Sequence, residues 1–410
     1  MSLSICMIVK NEAANLPACL ESARDLADEI WVFDTGSTDN TVSVAESLGA
    51  KVETFEWTHN FADARNASLT KATGEWILVL DADETLTAAG CGCVQKVMDN
   101  EPVGPSDQPI LIQDSLLITW LRREVGAQQS PYTQVARLFR NHPALKFSQP
   151  YHETIDDSVE ALIAAEPHWQ IIQLGTVAMD HTGYTLDDIT AQAKFERARG
   201  TMERYLVDHP DDAYFCNKLG ALYGQLGDWA KCLSLLEHGL AVTEPDPVTA
   251  YELRYHAGLA CRALNRLTRA AEYYRQALAS PILPRLKLGT YINLGSLLKH
   301  QGQLTEAVDI FEAAIAIDNT QAITHYNLGV AQRARGYLDE AITAYQMAIS
   351  LAPDSPEVYQ NLGVAYFKLG QLPESLKAFN SAIQLYMQSG QTDKAFKIQQ
   401  GVQQLGIKPL

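Results

Sequence analysis

The sequence lacks the features that would place this protein in a membrane, on nucleic acid or in an oxidising compartment. No apolar run reaches 18 residues, and the first one, Ile5 to Val9, is too short for a secretion signal. The net charge is −17 and no basic block occurs, which argues against nucleic-acid binding. Seven scattered cysteines make a poor disulfide framework. We therefore expect a cytoplasmic protein with no membrane span and no nucleic-acid partner.

Two phosphate-binding motifs are also missing. There is no G-x-G-x-x-G after the first strand and no G-x-x-x-x-G-K-S/T loop, which excludes common dehydrogenases and P-loop enzymes. What is present is an ordinary globular composition, with 47% hydrophobic and 20% charged residues. A length of 410 residues predicts two domains.

The first 90 residues alternate short apolar runs with amphipathic stretches, which is typical of β-α-β units around a mostly parallel sheet. The predicted strands are Leu3 to Val9, Glu29 to Phe33, Lys51 to Phe55 and Trp76 to Leu80. The predicted helices are Asn15 to Leu26, Thr38 to Leu48, capped by Thr38 or Asp39, and Phe61 to Ala72.

After a loop at residues 101–109, more polar strand-like runs predict an antiparallel or mixed edge of the sheet. They are Pro109 to Leu121, Gln134 to Phe139 and Trp169 to Met179. We place the end of this first domain near Thr185, so that it covers residues 1–185.

From residue 213 the chain repeats itself, because Asn293-Leu-Gly295, Asn327-Leu-Gly329 and Asn361-Leu-Gly363 are 34 residues apart. The period and the small residues that follow each glycine resemble the tetratricopeptide repeat. Five repeats are predicted, starting near residues 213, 251, 288, 322 and 356. Flanking helices at Asp187 to Val207, within a linker of residues 186–212, and at Thr392 to Leu405 would cap the solenoid of residues 213–410. The asparagines would line its concave groove, where they either bind a peptide or serve the repeat itself.

Asp81 and Asp83 follow the strand Trp76 to Leu80, two residues apart and at its carboxyl end. Residues i and i+2 of a strand share a face, and open α/β sheets bind ligands at this edge. Three further polar clusters fall at the same edge: Lys10-Asn11-Glu12, Asp34-Thr-Gly-Ser-Thr-Asp39 and Arg65-Asn66. Two close carboxylates there predict a metal site.

In this order the clusters resemble the family 2 glycosyltransferases of the GT-A fold. The matching segments are Ile8-Val-Lys-Asn-Glu12, Asp34-Thr-Gly-Ser-Thr-Asp-Asn-Thr41, Ala64-Arg-Asn66 and Asp81-Ala-Asp83, the last being a D-x-D motif. Arg137-Leu-Phe-Arg140, Tyr151-His-Glu153 and His181-Thr-Gly-Tyr184 are similar to a bacterial subgroup that also carries C-terminal tetratricopeptide (TPR) repeats.

The resemblance implies a nucleotide-sugar donor, with a UDP-sugar expected, and Mn²⁺ or Mg²⁺ to neutralise the departing diphosphate. It makes Asp83 the direct metal ligand and places Asp81 near the metal or the ribose. Asp34, Arg65, Lys10 and Glu12 are expected around the nucleotide. His181 is either a further metal ligand or a hydrogen-bonded core histidine.

The resemblance further implies inverting transfer of a hexosyl or N-acetylhexosaminyl group, which needs a general base. Glu153 is the first candidate and Asp156 the second. The chain departs from many relatives in lacking the Glu-Asp pair found at the base position. The repeats would recruit a protein or peptide. The alternative is a TPR interaction scaffold with a vestigial catalytic domain, which the intact Asp34, Arg65, Asp81 and Asp83 argue against.

Overall fold

The computed structural model describes residues 1–104, 109–127, 130–182, 188–242 and 245–404. The chain divides into two compact units, Met1–Pro210 and Asp211–Leu410. Several predicted boundaries, at Thr185, Asp187 and Leu405, lie outside the described residues, as do Tyr184 and part of the predicted loop after residue 104.

The first unit is built on a mixed sheet. Its strands are β1 (Leu3–Val9), β2 (Glu29–Asp34), β3 (Lys51–Thr54), β4 (Trp76–Leu80), β5 (Glu84–Leu86), β6 (Ser115–Glu124), β7 (Tyr132–Arg140) and β8 (Gln170–His181). They lie in the order β3-β2-β1-β4-β7-β6-β8-β5. The pairs among β1, β2, β3 and β4 are parallel, whereas β7 is antiparallel to β4 and to β6. The parallel core and the mixed edge are both as predicted.

Helices cover both faces of this sheet. One face carries α1 (Leu16–Ala23), α2 (Thr41–Ser47) and α4 (Ala88–Met98), and the other carries α3 (Phe61–Leu69) and α5 (Asp156–Ala165). A further helix, α6 (Asp188–Asp208), follows β8. Alternate residues of β4 enter two different cores: Trp76, Leu78 and Leu80 pack in one, and Ile77 and Val79 in the other. A strand buried on both faces reads as one apolar run, which is why the sequence pattern located β4 correctly.

Several element ends differ by a few residues from the sequence prediction; α2, for example, begins at Thr41 rather than Thr38. Three further differences have identifiable reasons. The strand expected from Pro109 begins only at Ser115, because Ile110 forms an isolated bridge with Val103 instead. The cap of α2 is Asn40, although the Asp39 carboxylate does accept the backbone N–H of Thr41 at 3.0 Å. The elements β5, α4 and α5 were not predicted, since three residues are too few to show a period and α4 begins with the small residues Ala-Ala-Gly-Cys-Gly.

The second unit is a run of helical hairpins, as the 34-residue period predicts. We call the first helix of each hairpin an A helix and the second a B helix. The five pairs are α7 (Ala213–Gln225) with α8 (Trp229–Val242), α9 (Pro247–Ala263) with α10 (Leu267–Leu278), α11 (Leu288–His300) with α12 (Leu304–Ile317), α13 (Ala322–Arg335) with α14 (Leu338–Leu351), and α15 (Pro356–Lys368) with α16 (Leu372–Gln388). A last helix, α17 (Thr392–Gln404), packs against α16.

Four of the five predicted starts agree with the structure, and the second repeat starts at Pro247 rather than 251. It starts there because Asp246 accepts the backbone N–H groups of Val248 and Thr249, and proline is favoured in the first turn of a helix. Within the described ranges, no helix combines the length and apolarity needed to cross a membrane.

Candidate active site

The centre of the candidate site is the turn between β4 and β5. The backbone N–H of Glu84 donates to the Asp81 carbonyl, and the Glu84 carboxylate accepts the N–H of Asp81, both at 3.0 Å. This tight turn ends the buried strand and presents Asp81 and Asp83 at the edge, where their side chains are 34% and 31% exposed. The sheet therefore places the two carboxylates of the D-x-D motif together, next to a fully buried Glu84.

Arg65 lies on the inward face of α3, in line with the buried Ala62 and Ser68, and is only 2% exposed. Its Nε donates to Glu153 Oε1 at 3.1 Å, and its Nη2 donates to the Asp81 carboxylate. Arg65 is therefore not a solvent-exposed arginine on the surface of a helix. The guanidinium group of Arg65 therefore binds both the D-x-D motif and the candidate base.

Arg137 on β7 binds the other side of the D-x-D turn. Its Nη2 donates to the Asp81 carboxylate and, at 2.8 Å, to Glu84 Oε1. Burial alone would raise the pKa of Asp81, but the guanidinium groups of Arg137 and Arg65 hold that pKa well below its usual range. Asp81 is therefore an anion fixed between two cations.

A series of ion pairs continues from Glu84 to the far side of the site. Arg122 Nη1 donates to Glu84 Oε1 at 2.7 Å, and Arg122 Nη2 lies 2.8 Å from Glu124 Oε1. Glu124 Oε2 is 2.6 Å from His181 Nδ1, and His181 Nε2 is 3.2 Å from Asp83 Oδ2. Positive and negative side chains alternate from Glu153 to Asp83, which gives each buried charge a partner of opposite sign.

At the histidine end of this series of ion pairs, the pKa values are shifted strongly. Burial would lower the pKa of His181, but its hydrogen bonds with Asp83 and Glu124 raise it to about 9. Burial would likewise raise the pKa of Glu124, but His181 and Arg122 lower it to about 2. Glu124 thus fixes the orientation of the imidazole ring, with Nδ1 towards Glu124 and Nε2 towards Asp83.

The residues at this end fit a divalent metal ion in part. A carboxylate on Nδ1 of a histidine is the usual outer partner of a metal ligand, and an ion binding at Nε2 would have to displace its proton. In the described part of the chain, no group of three or more His, Cys, Asp or Glu is arranged to hold a metal. Mg²⁺ is commonly held by one or two carboxylates together with substrate phosphates, so Asp83 suits it better than the imidazole of His181 does.

Two buried donors at the other end of the site lack a protein partner. Within the residues that the structure describes, Arg65 Nη1 and Arg137 Nε are buried and make no hydrogen bond. A buried donor without an acceptor costs free energy of about 1–3 kcal/mol, more for a charged group. Both atoms belong to guanidinium groups that bind Asp81, so an acceptor supplied by a ligand would satisfy them.

The residues after β1 and β2 form a second cluster at the same edge. The Asp34 carboxylate accepts the backbone N–H groups of Gly36 and Ser37 at 3.2 and 3.1 Å. Asn11 joins the two loops through Ser37, and Glu12 accepts the side-chain amide of Asn15 at 2.9 Å. Asp34 is buried and shapes its own loop, whereas Lys10 is exposed.

Asp156, the second base candidate, occupies the first turn of α5, where its carboxylate accepts the hydroxyl of Thr154. His152 next to Glu153 has a φ of +55°, an uncommon backbone conformation for this residue. The structure thus joins Arg65, Asp81, Asp83, Glu153 and His181 in one series of ion pairs. Asp156 contacts Thr154 at the start of its own helix.

Sequence reasoning missed Arg122 and Glu124 as members of the site and gave Glu84 and Arg137 no role in it. Arg122 and Glu124 are separated by one residue on β6, so they share a side of that strand, and this spacing was a usable signal. Their partners lie 38 and 57 positions away, and only the sheet order brings them together.

Comparison with known proteins agrees with this geometry. The family model described as glycosyl transferase family 2 matches residues 4–172, and tetratricopeptide-repeat models match residues 251–280, 295–336, 331–370 and 356–389. A TPR repeat-containing protein of Synechococcus elongatus is 42% identical over 314 residues, which is 77% of this chain and 75% of that protein.

More distant relatives match about half of this chain. A protein of Rickettsia bellii named as an uncharacterized glycosyltransferase is 30% identical over 47% of this chain and 64% of its own length. The glycosyltransferase SunS of Bacillus subtilis is 26% identical over 50% of this chain, and the match spans 45% of SunS. Among solved structures, the TPR protein YrrB matches 49% of this chain and all of its own chain with 18% identity and a TM-score of 0.41.

The predicted fold class is confirmed: a GT-A domain of α/β type is followed by an all-α TPR solenoid. The chain belongs to the family 2 glycosyltransferases and carries its glycosyltransferase domain and tetratricopeptide repeats on one polypeptide.

Proposed function

We propose that this protein transfers a hexosyl or N-acetylhexosaminyl group, with inversion, from a nucleotide sugar to an acceptor that its repeats recruit. The reaction depends on Mn²⁺ or Mg²⁺, and the donor is a UDP-sugar. The observation that supports this most directly is the pair of buried, unpartnered guanidinium donors, Arg65 Nη1 and Arg137 Nε, beside the D-x-D motif. They are suited to acceptor atoms of a bound nucleotide.

The donor half of the reaction uses the carboxyl edge of the sheet. Arg65 and Arg137 bind and orient the nucleotide, while Asp34, Glu12 and Lys10 complete its surroundings on the loops after β1 and β2. Asp81 neutralises the two arginines and holds them in place through its carboxylate. This interpretation follows the resemblance in assigning Arg65 and Asp34 to the nucleotide.

Asp83 and His181 would hold the metal ion, with Asp81 as a third candidate ligand. When bound, a divalent cation supplies positive charge for the diphosphate as the glycosidic bond breaks. The chain's own contribution is to orient its ligands: Glu124 binds His181 Nδ1 and leaves Nε2 directed at Asp83. Both ligand side chains are partly exposed, which an arriving metal–nucleotide complex requires.

For the acceptor half, Glu153 is the proposed general base. Its carboxylate is bound to Arg65 and is therefore held next to the donor site. A base so placed would take the proton of an acceptor hydroxyl during attack on the anomeric carbon, and the nucleoside diphosphate would leave from the opposite side. That geometry gives inversion.

The second unit would bring in the acceptor or an accessory protein through the A helices of its repeats. We place the reaction in the cytoplasm. The seven free thiols, most of them buried, support a reducing compartment.

A panel of nucleotide sugars, titrated by calorimetry with and without Mn²⁺ or Mg²⁺ and assayed for hydrolysis, tests the proposal. The wild type should bind and slowly hydrolyse one donor in the presence of metal, and Asp83→Ala should lose both properties. Asp25→Ala removes a carboxylate that is 93% exposed and serves as the matched control. Full activity of Asp83→Ala, or no nucleotide binding by the wild type, would contradict the proposal.

A further inference from the structure

The acidic charge of the chain is not spread evenly. Residues 1–210 contain 15 basic residues (Lys and Arg) and 31 acidic residues (Asp and Glu). Residues 211–410 contain 17 basic and 18 acidic residues. Within the described hairpins, the A helices carry seven basic and two acidic residues. The B helices carry four basic and eight acidic residues. The solenoid therefore has a basic set of A helices and an acidic set of B helices.

The two acids of the A helices offset only one of the seven basic side chains. Glu252 is bound by Lys218 at 2.7 Å, and Glu357 lies 3.4 Å from Lys394. Both acids thus already have a basic partner. The remaining basic side chains of the A helices determine the sign of that surface.

Three of these basic side chains form a row with one cation in each successive repeat. Arg262 Nη1 donates to Asn293 Oδ1 at 2.9 Å, Lys299 Nζ to Asn327 Oδ1 at 3.1 Å, and Arg333 Nη2 to Asn361 Oδ1 at 3.2 Å. Each cation reaches from one A helix to the asparagine of the next. We call Arg262, Lys299 and Arg333 the cationic row.

The asparagines hold the cations and are themselves satisfied. Asn293 Nδ2 donates to the Gly289 carbonyl at 2.8 Å, and Asn361 Nδ2 donates to the Glu357 carbonyl at 2.9 Å. These two amides thus donate to their own helix and accept from a cation, and Asn327 Oδ1 likewise accepts from a cation. The asparagine line therefore positions charge, and the groups left for a partner are the unused donors of the cations.

No carboxylate neutralises the row. Among the ion pairs of the described solenoid, none includes Arg262, Lys299 or Arg333. Burial without a counter-charge lowers the pKa of Lys299. Lys299 and Arg333 are partly buried and Arg262 is exposed, and cations without an acid partner in a chain of net charge −17 are suited to an anion from outside.

We propose that the cationic row binds an extended acidic segment of a partner polypeptide, with carboxylates spaced along it. This proposal refines the partner recruitment in the proposed function and rests on it. A polypeptide fits better than nucleic acid, because nucleic-acid binders commonly neutralise about 6–10 phosphates, and here three cations lie beside acidic B helices.

The test uses the full chain and fluorescence anisotropy with a labelled peptide of spaced glutamates, its glutamine counterpart and a single-stranded oligonucleotide of equal charge. The wild type should prefer the glutamate peptide, with binding that weakens as salt rises. The double variant Lys299→Gln, Arg333→Gln should bind it roughly tenfold more weakly. The charge-keeping variant Lys299→Arg, Arg333→Lys should retain binding, which separates charge from folding.

The matched control is Lys231→Gln, Lys377→Gln, which removes the same charge from B helices and should leave binding unchanged. An equal loss in both neutralised variants, no preference for glutamate over glutamine, or tighter binding of the oligonucleotide would each overturn the proposal. Asp83→Ala should bind the peptide like the wild type. The peptide-binding result can therefore be interpreted even if the donor assay fails.

Discussion

Arg65 and Glu153, 88 positions apart in the chain, are joined by a hydrogen bond of 3.1 Å from Nε to Oε1. The same guanidinium group binds Asp81. One buried arginine therefore holds the candidate base in a fixed relation to the D-x-D motif. If transfer needs a carboxylate next to the donor, this contact favours Glu153 over Asp156.

Glu153→Gln should lower the turnover of donor hydrolysis by about 10²- to 10⁴-fold, because an amide cannot accept the proton of the attacking water. The KM for the donor should change little, since the side chain keeps its size. Initial rates over a range of donor concentrations measure both quantities. Asp156→Asn is the matched variant, and its turnover should stay near that of the wild type; a larger loss there would move the base to Asp156.

Glu124→Gln should weaken Mn²⁺ binding, measured with nucleoside diphosphate present, by about tenfold or more. The amide keeps the size of the side chain but removes the negative charge that orients His181. Calorimetric titration gives the affinity, and the EPR spectrum of bound Mn²⁺ reports a change in its ligands independently of activity. The exposed Glu46→Gln should match the wild type, and unchanged metal affinity in Glu124→Gln would remove its positioning role.

Gly329→Ala should destabilise the solenoid by about 1–3 kcal/mol, because a full side-chain carbon would meet a packed ring. A Cβ at this position would lie 2.6 Å from the Tyr345 ring and 3.1 Å from the Ala341 carbonyl oxygen. Thermal unfolding should show a lower Tm. Gly401→Ala is the control, since its Cβ would meet nothing within 4 Å and helix propensity then favours alanine; equal Tm changes in the two variants would contradict the close approach.

His256 should make the solenoid less stable at acidic pH. Burial lowers its pKa from 6.5 to about 4, although the nearby Glu252 opposes this shift and Lys218 adds to it. The folded state therefore binds the proton less tightly than the unfolded state, and stability falls as the pH drops from above 6.5 towards 4.

Tm should accordingly fall further between neutral and mildly acidic pH in the wild type than in His256→Gln. The ring lies 2.8 Å from Asn217 Oδ1, and glutamine can keep a hydrogen bond there without a titrating group. His300→Gln, at an exposed position, should follow the wild type. Parallel Tm curves for wild type and His256→Gln would show that folding does not lower the pKa of His256.

Much of the fold could be predicted because its signals are local. β4 was located to the residue since five consecutive apolar side chains, buried on both faces, leave no other interpretation. The repeats were found from their period, because each hairpin must place a small residue such as Gly329 against a ring. By contrast, β5 has three residues and no local signal, and it exists only through its pairing with β8.

The sequence by itself determined the two kinds of unit, the family resemblance and the order of the D-x-D and arginine motifs along the chain. The tertiary structure decided which charges meet. Arg122 and Glu124 enter the site only because β6 lies between β7 and β8, and Asp81 faces two arginines only because α3 and β7 flank β4. Such contacts between distant residues depend on strand order and burial, which no local pattern records. The same holds for the cationic row, whose partners lie one repeat away.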